Sequence, residues 1–174
     1  DDPARLTRLR WLNSTLAQDN ALVKPFTAVT GHGAQIGILG REVKLANSGL
    51  PAQIESRFDE RMTGFARQSR ALLAAPMQLL VQDANGTHAL HATALPNVQV
   101  DGPARVHWQV AGDAGPLQGE VTASLEADGT LSYAIALKAI QAVTLKDIRL
   151  EIPLRRDTAQ YELGLGRTGD HAPA

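Results

Sequence analysis

Between Thr130 and Leu154 the sequence TLSYAIALKAIQAVTLKDIRLEIPL alternates apolar and polar residues with a period of two, in two separate runs. Leu131, Tyr133, Ile135 and Leu137 stand between smaller or polar neighbours. Ile148, Leu150, Ile152 and Leu154 stand between Arg149, Glu151, Pro153 and Arg155. Successive side chains of an extended chain point to opposite sides, so each apolar set lies on one face of a sheet. Asp128-Gly129 supplies a turn ahead of the first run. Pro153 lacks an N–H and predicts that the second strand ends, bulges or runs along a sheet edge there.

The same grammar extends through most of the chain. Val106, Trp108 and Val110 share a face opposite Arg105, His107 and Gln109, and Val121, Ala123 and Leu125 alternate with Glu120, Thr122, Ser124 and Glu126. Asp101-Gly102-Pro103 and Gly115-Pro116 punctuate them, and Val98 with Val100 makes a short strand before. Asn85-Gly86, between Met77–Val81 and Ala89–Ala94, is the strongest short hairpin signal in the sequence. Earlier, Ile36 with Ile38 and Val43 with Leu45 alternate between Gly31, Gly33, Gly40 and Gly49, and Asn47-Ser48-Gly49-Leu50-Pro51 reads as a tight reversal. The charged stretch RFDERMTGFARQSR, from Arg57 to Arg70, has an ambiguous period and reads as strand or loop. Only residues 4–18 carry a helical pattern: Leu6, Leu9, Leu12 and Leu16 recur at spacings of three and four, an amphipathic helix that packs on the sheets.

Strand, turn and strand at spacings of about ten residues predict an all-β fold, an antiparallel β-sandwich with a short N-terminal helix, formed as one domain over 1–174. A chain of 174 residues buries roughly two thirds of its unfolded surface in a single core. It has no Cys, so disulfides are excluded. Seventeen Lys and Arg against eighteen Asp and Glu leave no basic footprint for nucleic acid. The longest apolar run, Ala71–Val81, is broken by Pro76 and Gln78 and falls far short of the ~20 residues of a membrane-spanning helix, so no membrane insertion is expected. The sequence opens on Asp1, and the expectation is a processed or trimmed piece of a longer polypeptide.

Three segments, RWLNSTLAQDN, ILGREVKLANSGLPAQIES and VTLKDIRLEIPLRRDTAQYELGLGRTG, occur in an order that resembles the N-terminal β-sandwich region of large bacterial glycoside-hydrolase-like proteins. That region lies ahead of the catalytic barrel in glycoside hydrolase family 123 and its uncharacterised relatives. The residues that carry the resemblance are Trp11 to Ser14, Gly49 to Ile54 and Leu145 to Leu154. It implies a sandwich of galactose-mutarotase-like or jelly-roll-like type, acting as a non-catalytic accessory scaffold in a carbohydrate-active protein that is itself a glycoside hydrolase. The implied partner is a downstream catalytic domain of the same polypeptide, and the implied location is extracytoplasmic, periplasmic or secreted. In such proteins the catalytic carboxylates sit in the barrel, so no catalytic role is carried to any residue here. The sequence also departs from the pattern after Gly166, where it reads Arg167-Thr168-Gly169-Asp170-His171 in place of a Gly-Gly and an aromatic-rich segment.

The chemistry-bearing residues are weighed against that background. Gly164 to Gly169 matches G-x-G-x-x-G, but a dinucleotide site needs a helix after the glycines and an acidic residue about 20 positions on, so a strand exit explains them and no cofactor is expected. His88, His91 and His107 suit zinc in type, yet the first two are three apart on a predicted strand and point to opposite faces, so no metal site is expected. Carboxylates such as Glu55, Asp59, Glu60, Glu120, Glu126, Asp147 and Glu151 are plentiful, and nothing local selects a pair for glycosidic cleavage. A carbohydrate-binding module, the alternative function, needs exposed rings for sugar C–H faces. Its candidate contacts are Tyr161, near a strand exit, and Trp108, although Trp108 falls on the apolar face of its strand, where core packing is expected. A further alternative, a stand-alone sandwich enzyme of mutarotase type, requires His and carboxylate side chains to converge in one cleft.

Overall fold

A computed structural model describes residues 20–61, 63–162 and 170–171, and every regular element among them is a strand. The expected helix over 4–18 lies outside the described residues.

The chain enters a five-stranded antiparallel meander: β1 (Thr30–His32), β2 (Gln35–Ile38), β3 (Arg41–Leu45), β4 (Pro51–Phe58) and β5 (Phe65–Ala71), each beside its predecessor. Ile36, Ile38, Val43 and Leu45 point inward and are buried. The interleaved Gln35, Glu42 and Lys44 therefore point outward, as the period of two requires. The register of β4 against β5 shifts between Ser56 and Phe58, a bulge that bends the sheet at that corner. Part of the segment with an ambiguous period is thus strand, ending at Phe58 and resuming at Phe65.

Next come β6 (Gln78–Gln82) and β7 (Thr87–Ala89), a hairpin closed over Asn85-Gly86 as the sequence predicts. Asp83 holds the turn. Its N–H donates to the Gly86 carbonyl at 3.0 Å, and its carboxylate accepts from the N–H groups of Asn85 at 2.7 Å and Gly86 at 3.0 Å.

Four strands follow, β8 (Gln99–Val100), β9 (Arg105–Ala114), β10 (Leu117–Glu126) and β11 (Leu131–Ala139), in the sheet order β11-β10-β9-β8. Val106, Trp108 and Val110 of β9 and Val121, Ala123 and Leu125 of β10 are buried, while their neighbours face out. Leu131, Tyr133, Ile135 and Leu137 of β11 are half-buried against the same core. The last long strand, β12 (Asp147–Glu151), returns to pair antiparallel with β6. Two short strands, β13 (Tyr161–Glu162) and β14 (Asp170–His171), pair with each other.

Backbone bridges tie the three main sheets into one sandwich-like body. The N–H groups of His91 and Asp113 donate to each other's carbonyls at 2.9 and 3.0 Å, joining the chain after β7 to the end of β9. Gly112 permits this approach, since a Cβ there would collide with the His91 carbonyl. Leu73 pairs with Leu154, and Val29 donates to the Pro103 carbonyl at 2.9 Å. Ile36, Leu50, Leu73, Val81, Val106 and Val121, drawn from all three sheets and their connections, share one core with Trp108.

Candidate functional site

Two surface features stand out from the solubilising background, a charged cleft on the first sheet and an aliphatic face on β12.

The cleft lies on the outer face of the meander and has a volume of about 640 Å³. Gly37, Gly40, Arg41, Glu42, Glu55, Arg57, Arg67 and Ser69 line it together with Phe65. Glu42 and Glu55 are direct cross-strand partners, an unfavourable pairing of like charges unless a cation separates them. Lys44 does so: its Nζ lies 3.7 Å from Glu42 Oε1 and 3.2 Å from Glu55 Oε1. Ser69 Oγ donates to the other Glu55 oxygen at 2.7 Å. The Ser69 hydroxyl, together with Lys44, holds the Glu55 carboxyl below its ordinary pKa, and the bond to Glu55 with the charges of Glu55 and Glu42 raises that of Lys44.

This chemistry suits binding better than glycosidic cleavage. A general acid needs a carboxyl whose proton affinity is raised, and Glu55 is shifted the other way. Phe65 supplies what an all-polar cleft would lack. Its ring is 56% exposed, packs against Phe58 with centroids 5.4 Å apart, and rests on Gly40, where a Cβ would sit 2.6 Å from the ring. Arg41 in turn stacks over Phe58 at 5.2 Å. The ring is therefore held in place while one side stays open.

The second feature is the row Ile148, Leu150, Ile152 and Leu154. Ile148 and Leu150 share a face of β12, as their alternation predicts, and Ile152 and Leu154 follow past its end, yet the four are 47, 43, 50 and 53% exposed. Their cross-strand partners explain what this face is. Ile148 is opposite Val81 and Leu150 opposite Leu79, and both β6 residues are buried. The inner, apolar face of β6 thus continues onto β12 beyond the part of the molecule that covers it. On the other face, Arg149 bridges Asp147 and Glu151, each at 2.7 Å. Pro153 follows the end of β12, and β12 lies at the edge of its sheet, as the sequence predicts.

The residues singled out from the sequence fall elsewhere. Trp108 is 1% exposed, its indole N–H donates to the Gly49 carbonyl at 2.8 Å, and its ring meets Tyr133 edge-on at 6.1 Å. Both faces of the indole are occupied by the fold, which corrects its candidacy as a sugar contact. Tyr161 stands in β13 opposite His171, and its side chain lies outside what is described. The Gly164–Gly169 segment also lies outside the described residues. The three histidines diverge: His88 Nε2 is 3.3 Å from Asp83, His91 Nε2 is 3.2 Å from Asn47 Nδ2, and His107 sits on the outer side of β9. Among the described residues no three His, Asp or Glu side chains gather at metal-binding spacing. No helix among them is long and apolar enough to cross a membrane.

Phe65 escaped the sequence reading. The only local sign was two aromatics, Phe58 and Phe65, in a charged stretch, and the significance of Phe65 depends on its packing against Phe58 and over Gly40 at the cleft.

A family model described as glycoside hydrolase 123, third domain, matches residues 29–174. No curated protein and no solved structure matches the chain. The matched family is the one that the sequence motifs resemble. The matched domain is its third, so the placement of the chain at the N-terminal end of such proteins is left without support.

Proposed function

The chain belongs to the glycoside hydrolase 123 family, over the residues of its third domain, and on that premise we propose that it is a non-catalytic accessory sandwich that packs its β12 face against another domain of the same polypeptide. One observation carries this reading: four aliphatic side chains, each 43 to 53% exposed, of which Ile148 and Leu150 continue the core face of β6 and Ile152 and Leu154 follow directly. Contiguous apolar surface of this kind marks an interface on a folded protein. A third domain has other domains of its own polypeptide as its nearest partners, present at high effective concentration. The extracytoplasmic location implied by the resemblance belongs to the same proposal and is checked by fractionating the source cells.

The sequence contains no Cys, which makes a direct test simple within this domain. Leu150→Cys and, as an exposed control on β10, Glu120→Cys are introduced into the native full-length polypeptide, and maleimide labelling of each is followed by peptide mass spectrometry. The expected result is labelling of Leu150→Cys at least about tenfold slower than that of the control, because another domain covers it. Equal rates would remove the docking reading.

A second reading, the carbohydrate-binding module, is favoured by Phe65. An exposed ring fixed beside a polar cleft is the arrangement that stacks on the C–H face of a sugar while hydrogen-bonding groups read its hydroxyls.

A further inference from the structure

We infer that the cleft on the outer face of the meander takes an acidic saccharide, with a uronate carboxylate held by Arg57 and Arg67 and the sugar ring on Phe65. This rests on the carbohydrate-binding reading and adds the class of ligand.

The charges that line the cleft divide into two groups. Glu55 has both oxygens engaged, one by Ser69 and one by Lys44, and Glu42 lies within reach of the same ammonium. These three ionic groups form a closed set on β3 and β4 with a net charge of minus one. Arg41, Arg57 and Arg67 reverse that sign. Arg41 is occupied by the Phe58 ring and by a bond of 3.5 Å to the Asp128 carbonyl. Arg57 and Arg67, on β4 and β5, both line the cleft, both are exposed, and neither guanidinium has a carboxylate or hydrogen-bond partner among the described residues.

Two exposed guanidiniums without a protein partner among the described residues, beside a fixed aromatic ring, define the ligand. The planar fork of an arginine matches a carboxylate with two parallel N–H···O bonds, a fit that the point charge of Lys lacks. Phe65 requires an adjoining flat apolar face, which a pyranose ring supplies through its C–H groups. A uronic acid carries both within one residue. Arg57 falls within the register shift between Ser56 and Phe58, and it lines the same cleft as Arg67 and Phe65, so the anion site and the ring belong to one surface. Glu42, which also lines the cleft, opposes an anion and sets the sign of a control.

The test measures binding of a galacturonic acid tetramer, a neutral galactose tetramer and a sulfated neutral tetramer to the full-length polypeptide by calorimetry at low salt. The same measurement is made on the Arg57→Ala/Arg67→Ala double variant, on Phe65→Ala and on Glu42→Gln. All four side chains are on the surface, and unchanged thermal unfolding confirms that each variant folds. The expected result is binding of the uronate tetramer, weakened at least about tenfold by the double variant and by Phe65→Ala, tightened by Glu42→Gln and lowered by added salt. Equal binding of neutral and acidic tetramers, still lost in Phe65→Ala, would overturn the acidic specificity and leave the cleft a glycan site. Preference for the sulfated tetramer over the uronate would overturn the carboxylate assignment. Binding of no tetramer, or binding that none of the cleft variants changes, would overturn this inference and the carbohydrate-binding reading together.

Discussion

Trp108 concentrates several of the physical constraints on this chain. Its indole is fully buried, so its N–H must find an acceptor, and the Gly49 carbonyl provides one in the turn before β4. Trp108→Phe keeps most of the apolar volume and leaves that carbonyl without its partner. The expected cost is about 1–3 kcal/mol, read as a lower urea midpoint with an unchanged slope. That Trp108 would face inward was legible from its alternation with His107 and Gln109. Its acceptor was not, because it lies in a segment far away in sequence. Glu55 carries the pH dependence of the cleft. Its carboxyl titrates below the ordinary range because Ser69 and Lys44 bind its charged form. A group depressed in the folded state stabilises above its unfolded value and loses that contribution as pH falls through the folded value. The advantage of the parent over Glu55→Gln is therefore expected at pH about 7 and to shrink steadily as the pH falls below the ordinary glutamate range, in paired denaturation curves.

At the scale of elements, β6 and β12 show what alternation can and cannot say. The pattern put Ile148 and Leu150 on one face of β12, as the register shows, and periodicity carries no information about whether anything lies over that face. Leu79 and Leu150 are register partners on the same side of the same sheet, one 6% and the other 43% exposed. Leu79→Ala is expected to cost about 2–4 kcal/mol and Leu150→Ala less than about 1 in the domain itself, by chemical denaturation. Similar costs for both would mean that β12 is covered from within the domain. The cleft obeys a different rule. Glu42, Glu55, Arg57, Arg67 and Ser69 come from three strands, and what brings them together is cross-strand register plus a bulge. No window of the sequence encodes either, so the same residues read there as a solvated face and an ambiguous stretch.

Over the whole molecule, most neighbours in the sheets are also neighbours in sequence. β1 to β5 form one meander and β8 to β11 another, each built from short reversals. Long-range backbone connections hold these units together, among them the mutual bonds of His91 and Asp113, the Leu73–Leu154 bridge, the Val29–Pro103 bond and the pairing of β12 with β6. This division explains how far the fold was legible. Hairpins announce themselves by local turn chemistry, as at Asn85-Gly86, whereas the joining of sheets depends on residues with no shared local pattern. Gly112, whose lack of a side chain admits the His91 backbone, was one glycine among fifteen until the approach was visible.

The pairing of Gln82 with Asp147 also sets an order in time. Closing a long stretch of chain costs entropy before its contacts repay it, so hairpins form early and β6 waits for β12. Pulse-labelled hydrogen exchange during refolding is expected to protect the amides of β9 and β10 before those that β12 shares with β6. Simultaneous protection would rule out that order. During synthesis, the same delay leaves one side of β6 open until β12 has left the ribosome, an interval in which the nascent domain depends on being shielded from other chains.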